Sequence, residues 1–282
     1  MKKIGIIDYF IDEWHSNKYL GLFEQANKEL GLDYKVVYGW AETDKEGRLT
    51  TKEWCEKNGI ERCETIEELC EKSDNILILA PANPETHLKY AQVALCYGKN
   101  TYIDKTFAPD LATAKQIFEI AEKYGTKFFT TSALRFAEEV EGFSGVESLI
   151  TTGGGGNVWE YIIHQIEMAV KIMQGEKATA VQVFHRQRQT TAIVYFGEKT
   201  ATLNYAHSDC GFSVDVQTKD RQSCEYRRVE KGTEFYRLIT AILAFFDNDI
   251  TPFDCKQTLQ VIAIRDAIVK AIDMPIGTKV LI

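Results

Sequence analysis

No stretch of this 282-residue chain stays apolar for the roughly 18–20 residues a membrane span needs. The opening MKKIGIID has a short basic end but no long apolar run and no small-residue cleavage site, so no signal peptide is expected. An excess of positive charge is also missing. Lys and Arg number 33 against 41 Asp and Glu, for a formal net charge of −8, which argues against a nucleic-acid partner. Seven cysteines are present (Cys55, Cys63, Cys70, Cys96, Cys210, Cys224 and Cys255), an odd number with no CxxC pair. That spacing speaks against a disulfide framework or a zinc site and for reduced thiols in a cytoplasmic protein. There is no HExxH, no internal repeat and no low-complexity linker.

What is present is the balance of a globular protein, 45% apolar and 26% charged. The length suits two ordinary domains or one large one. Short apolar runs at 3–7, 34–39, 75–80, 100–104 and 127–131 read as strands. Between them lie helical stretches at 16–30, with Ser16 as N-cap and Gly31 past the end, near 51–57 and 65–71, from Pro84 to Tyr97, and from Asp110 to Gly125. Strands alternating with helices imply βαβ units, hence a parallel sheet that binds ligands at the carboxyl ends of its strands.

The pattern changes near residue 132. A long apolar helix at 157–173 precedes strand-like runs at 179–187, 190–197, 200–207, 212–218 and 223–229. Helices near 233–246 and 256–272 follow. The expected fold class is α/β: a Rossmann-type parallel sheet over 1–131, then an α+β domain over 132–282 with a mostly antiparallel open sheet. An open sheet face suggests a homo-oligomer.

Four stretches carry candidate chemistry. The loop after the first strand lacks the GxGxxG of a dinucleotide site and places Asp8, Asp12 and Glu13 where phosphate charges would lie. The helix start near Ser16, with His15, Asn17 and Lys18, could still hold an anion, or the segment is an ordinary loop. Asp104-Lys105-Thr106 ends a strand; there Lys105 either stabilises a developing alkoxide or is a solvated loop residue. On the helix at 157–173, Glu160, His164, Glu167 and Lys171 share one stripe. A Glu160–His164 hydrogen bond would suit a general base, and a solvent edge explains the stripe equally well. The run Gly153-Gly154-Gly155-Gly156 lacks the GK[ST] of a phosphate loop and reads as a flexible substrate loop or hinge. A metal site built from Glu160, His164 and Glu167 with His185 or His207 is a minor alternative.

Asn83-Pro84, Thr86-His87, Gly98-Lys99 and Asp104-Lys105-Thr106 occur in an order and spacing that resembles the Gfo/Idh/MocA oxidoreductases. Residues 132–136 (SALRF), 160–167 (EYIIHQIE) and the chain end at 268–282 are similar to later segments of that family. The resemblance implies a catalytic Lys105 beside a nicotinamide, a proton-transferring His164 and Glu160 as its acidic partner. It also implies a dinucleotide, NAD in preference to NADP because Glu42 follows the second strand. The cofactor contacts would be Asp8, Tyr9, Phe10, His15, Ser16, Glu42, Pro81, Ala82, Asn83, His87, Asp104 and Lys105. Arg135, Tyr161 and His164 would meet a small-molecule substrate. The implied reaction is hydride exchange with a carbinol carbon of a sugar, polyol or related compound. The sequence departs from the family at Asp104 for Glu, Thr106 for Pro, Glu160 for Asp, Ile162 for Gly, and in the lost loop glycines. Those lost glycines leave an alternative: a ligand-sensing or partner-binding relative that has lost dinucleotide binding.

Overall fold

The computed structural model describes residues 1–219, 224–230 and 232–282. They form two compact units. The first takes Met1–Thr131 and Tyr236–Cys255, the second Ser132–Phe235 and Lys256–Ile282. A single division after residue 131 would put 236–255 in the second domain, whereas these residues pack with the first.

The first unit begins with β1 (Lys2–Asp8), α1 (Trp14–Leu30), β2 (Tyr34–Ala41), α2 (Thr51–Asn58), β3 (Glu61–Arg62), α3 (Ile66–Lys72) and β4 (Asn75–Ile78). A 3-10 turn at Pro84–Thr86 leads into α4 (His87–Ala94), followed by β5 (Thr101–Ile103), α5 (Leu111–Tyr124) and β6 (Phe128–Phe129). The strands order as β3-β2-β1-β4-β5-β6, all parallel. This is the doubly wound order whose reversal, here between β1 and β4, opens a ligand crevice at the carboxyl edge. β4 reads NILI and is buried on both faces, as a strand covered by helices must be. Gly31, Gly59 and Gly125 end α1, α2 and α5 in the left-handed conformation at φ near +65°, which glycine adopts without a Cβ clash.

The second unit holds β7 (Val146–Gly154), α6 (Val158–Ile172), β8 (Ala180–Arg186), β9 (Gln189–Phe196), β10 (Lys199–Ala206), β11 (Ser213–Thr218) and β12 (Cys224–Arg228). Residue 223 of the expected strand lies outside the described residues. α7 (Glu234–Asn248) belongs to the first unit from Tyr236 onward, and α8 (Lys256–Ile272) and β13 (Lys279–Leu281) to the second. The seven strands order as β12-β11-β7-β10-β9-β8-β13, antiparallel except for β7 with β10. β9 alternates buried and half-exposed residues, so one sheet face is covered and the other open. α6 is buried along most of its length. Among the described residues no helix is long and apolar enough to cross a membrane.

Half of the glycine run belongs to a strand rather than to a flexible loop. Gly153 and Gly154 close β7, and a Cβ on Gly154 would lie 2.3 Å from the Ser208 carbonyl oxygen. A Cβ on Gly153 would lie 2.3 Å from the Phe212 ring. Close approach of neighbouring chain, not flexibility, explains these two glycines.

Candidate functional site

The carboxyl edge of the parallel sheet is built from the ends of β1, β4 and β5. β1 ends on Asp8, which is 1% exposed. Its Oδ1 accepts the backbone N–H of Tyr9 at 2.7 Å and of Ala80 at 3.1 Å, and its Oδ2 accepts the Ser16 hydroxyl at 2.9 Å. Burial, then the neighbouring Glu13 charge, raise the Asp8 pKa well above the usual carboxylate range.

Glu13, not Ser16, caps α1. Its carboxylate accepts the N–H of His15 at 2.8 Å and of Ser16 at 2.6 Å. Ser16 lies inside the first turn and donates its hydroxyl to Asp8. Burial works against the Glu13 charge, but the hydrogen bonds and charge of His15 hold its pKa below the usual value. The His15 ring lies between two carboxylates, Nδ1 3.2 Å from Glu13 Oε2 and Nε2 3.7 Å from Asp104 Oδ2.

Lys105 follows β5, and its ammonium donates to the Pro81 carbonyl at 3.3 Å. Asp104 is 1% exposed, and the Tyr102 hydroxyl donates to its Oδ1 at 2.9 Å. Its Oδ2 has no hydrogen-bond partner, the His15 nitrogen at 3.7 Å being too far for one. Thr106 Oγ1 is likewise buried without a partner. Two orphaned polar atoms therefore belong to the residues on either side of the lysine, and buried polar atoms normally find partners.

Other expected contacts are already engaged within the protein. His87 is fully buried, with Nδ1 3.0 Å from the Phe107 carbonyl and Nε2 2.7 Å from the Leu79 carbonyl. It braces the strand ends and turns neither ring nitrogen to a ligand; burial lowers its pKa. Glu42 accepts from Lys89 at 2.7 Å and from the Tyr90 hydroxyl at 2.7 Å, beside a 350 Å³ cavity. Pro81, Ala82 and Asn83 form the turn after β4, where the Asn83 N–H bonds the Ala80 carbonyl at 2.9 Å. The Tyr9 and Phe10 rings meet edge to face at 5.5 Å.

These residues test the cofactor that a Rossmann fold implies. A pyrophosphate needs close backbone approach, which glycine allows, and free N–H groups at the helix start. Here the loop carries Asp8, Phe10 and Glu13, and a carboxylate already holds the α1 amides. Each phosphate charge set about 4 Å from the Glu13 carboxylate would meet roughly 4 kcal/mol of repulsion at a protein surface. The site does not fit a dinucleotide pyrophosphate.

In the second unit, α6 carries the polar stripe. His164 Nδ1 lies 2.6 Å from the Ser132 hydroxyl, so Ser132 rather than Glu160 is the hydrogen-bond partner the structure gives this nitrogen. Tyr161 and Phe212 pack near the His164 ring, each with centroids 5.8 Å away. Glu160 is half-buried, and its charge adds to burial in raising the Tyr161 phenol pKa. Arg135 is buried and donates to Glu167 at 3.0 Å and to Gln257, which uses its guanidinium for structure. Lys171 donates to the Arg135 carbonyl at 2.6 Å and to Glu141. His185 and His207 meet through Thr190 on the sheet, at 2.7 Å and 2.8 Å. Among the described residues no three His, Cys, Asp or Glu side chains are placed to hold a metal. Ser132 is the partner that sequence reasoning missed; no local spacing marks a residue 32 positions from its imidazole.

Asp8→Asn isolates the buried carboxyl. The asparagine amide keeps an oxygen for the Tyr9 and Ala80 N–H groups and offers an NH₂ to the Ser16 oxygen. The folded pKa of Asp8 lies above its unfolded value of about 3.9. The stability it contributes is therefore fully present below that value and is lost as pH rises through the folded pKa. Between the two values the wild type should lose up to about 1.4 kcal/mol per pH unit relative to Asp8→Asn, and above the folded pKa the gap should level off. Urea unfolding of both proteins from pH 4 to 9 reads this, and a constant gap throughout would refute it.

Residues 21–132 match the family model described as "Oxidoreductase family, NAD-binding Rossmann fold", of the Gfo/Idh/MocA group. The match starts within α1, past the Asp8–Glu13 loop. An uncharacterized oxidoreductase of Escherichia coli (strain K12), YhhX, is 35% identical over 60 residues, 21% of this chain; that segment spans only 17% of the relative's length. A probable dehydrogenase from Thermotoga maritima superposes with a TM-score of 0.79 at 15% identity, covering 99% of this chain and 98% of that one. GenD2 from gentamicin A biosynthesis, solved with NAD, gives 0.74 at 13% identity, covering 100% and 97%. At those identities the likeness is one of fold. The family match over residues 21–132 lies within the Rossmann unit, and it is that segment which is similar to the Gfo/Idh/MocA oxidoreductases.

Proposed function

We propose that the chain binds a small polyhydroxylated molecule, a sugar, polyol or related carbinol compound, at the carboxyl edge of its parallel sheet. The observation that carries this reading is the buried set at the end of β5, a lysine whose two neighbours each hold an orphaned oxygen atom. Asp104 Oδ2 accepts a ligand hydroxyl, Lys105 donates to the ligand oxygen, and Thr106 can do either. A few polar groups placed at a ligand site set orientation and specificity. Lys105→Ala should weaken polyol binding by roughly tenfold to a hundredfold, the loss of one charge-assisted hydrogen bond. Titration calorimetry against a panel of sugars and polyols checks this. Binding that survives unchanged in a folded variant would remove Lys105 from the site.

A second reading adds hydride exchange between a nicotinamide and the carbinol carbon. It is favoured in the first unit by the position of Lys105, suited to hold negative charge on oxygen; the second unit, by itself, carries the Ser132–His164 pair, of a kind suited to move a hydroxyl proton. In that reading Glu160 and Tyr161 stand near the imidazole on α6, and the cofactor is NAD or NADP. The two readings part on one measurement, nucleotide binding.

A further inference from the structure

We propose that Glu13 is a built-in replacement for the phosphates of a dinucleotide, so that the first unit takes its polar ligand without a nucleotide. The proposal rests on the ligand-site reading above and specifies what that site excludes. Three observations in the loop support it.

The first is occupancy. The first-turn amides of α1 are the groups a pyrophosphate would use, and both oxygens of Glu13 are on them, at 2.6 Å and 2.8 Å. The helix dipole that would attract a phosphate already stabilises this carboxylate.

The second is the surrounding charge. Asp104 lies across the His15 ring from the Glu13 cap. The imidazole that would otherwise pair with a phosphate is held between Glu13 and Asp104.

The third is fixation of the loop. Asp12 accepts from Asn17 Nδ2 at 2.8 Å and from the Leu49 N–H at 2.9 Å. Asn17 in turn accepts from the Trp54 indole at 2.7 Å. Lys45 covers the Phe10 ring at 4.4 Å. These ties fix the backbone on either side of Glu13, while the carboxylate itself is held by the His15 and Ser16 amides and the His15 ring.

The chemistry of the unit follows from this. Where a dinucleotide-dependent relative needs the loop for its cofactor, here the loop is part of the wall of the polyol site, with His15 and Asp104 at the same end of the crevice as Lys105.

The test uses the whole chain with NADH, NADPH and ADP-ribose, the last carrying the pyrophosphate without nicotinamide. Thermal unfolding and tryptophan fluorescence are read with each at up to millimolar concentration. The wild type should respond to none of them. Glu13→Gly, at a cap position where glycine is tolerated, should gain ADP-ribose affinity by tenfold or more, and Asp8→Asn/Glu13→Gly should gain further. A wild-type melting temperature that rises with ADP-ribose would overturn the proposal. So would a folded Glu13→Gly as silent as the wild type, because Glu13 would then not be what excludes the phosphates. Polyol calorimetry on the same samples is independent of nucleotide. Failure of the ligand-site reading therefore shows as absent polyol binding, and failure of this one as nucleotide binding by the wild type or silence of the variant.

Discussion

Arg135→Ala is expected to destabilise the second unit by about 3–5 kcal/mol, the cost of leaving one member of a buried ion pair alone. Arg135 and Glu167 have side chains only 5% and 6% exposed. The pair ties the 3-10 turn at Ala133–Phe136 to α6, and Gln257 at the start of α8 also accepts from the guanidinium. Alanine leaves the Glu167 carboxylate in a low-dielectric setting with much of its compensation gone. Replacing both partners with apolar residues of similar volume, Arg135→Met with Glu167→Leu, should recover most of the loss. Denaturant unfolding of the single and double variants forms the cycle. The opposite outcome is informative too. If Arg135→Ala costs under about 1 kcal/mol, the ion pair with Glu167 contributes little to the second unit's stability.

Phe245→Ala is expected to cost about 3–5 kcal/mol, as deletion of a fully buried aromatic does. Phe245 lies on α7, is completely buried and meets Phe129 of β6 edge to face at 5.3 Å. Tyr34 on β2 and Phe246 pack nearby, with centroids 6.3 Å apart. The damage should fall on the first unit. Hydrogen exchange of the β5 and β6 amides should accelerate well before that of β8 to β10. Faster exchange confined to the seven-stranded sheet would mean that α7 belongs to the other core.

Much of the fold could be read in the residues. The continuous apolar run at 75–78 has only one use in an α/β chain, a central parallel strand, and it is β4. Glycine at 31 and 125 marked helix ends because no other residue enters the left-handed region with so little strain. The alternation in β9 and β10 followed from one covered face. What stayed hidden depended on partners distant in sequence. The two residues of β3 carry no strand signal and pair only because β2 is beside them. The amphipathic stripe of α7 shows which face is buried but not against which sheet. Ser16 resembles a cap by type, yet Glu13 has the reach and Asp8 claims the serine. The place of Lys105 just after a strand end was legible. The pairing of His164 with Ser132, and of Arg135 with Glu167, was not, because each joins segments more than thirty residues apart.

The first unit is made from two separated pieces of chain, and this sets an order on its manufacture. Domains generally form as the chain emerges from the ribosome, N-terminal parts first. Here the parallel sheet is synthesised by residue 131, but α7, which covers Phe129, arrives only after roughly a hundred further residues. During that interval the apolar surface around β6 waits for its cover, while β7 to β12 of the second unit are already available to fold. The second unit in turn lacks α8 and β13 until the first is closed. Most of the second unit is thus made before the first can close, and the second closes last, so the two cores are interleaved in time as they are in sequence.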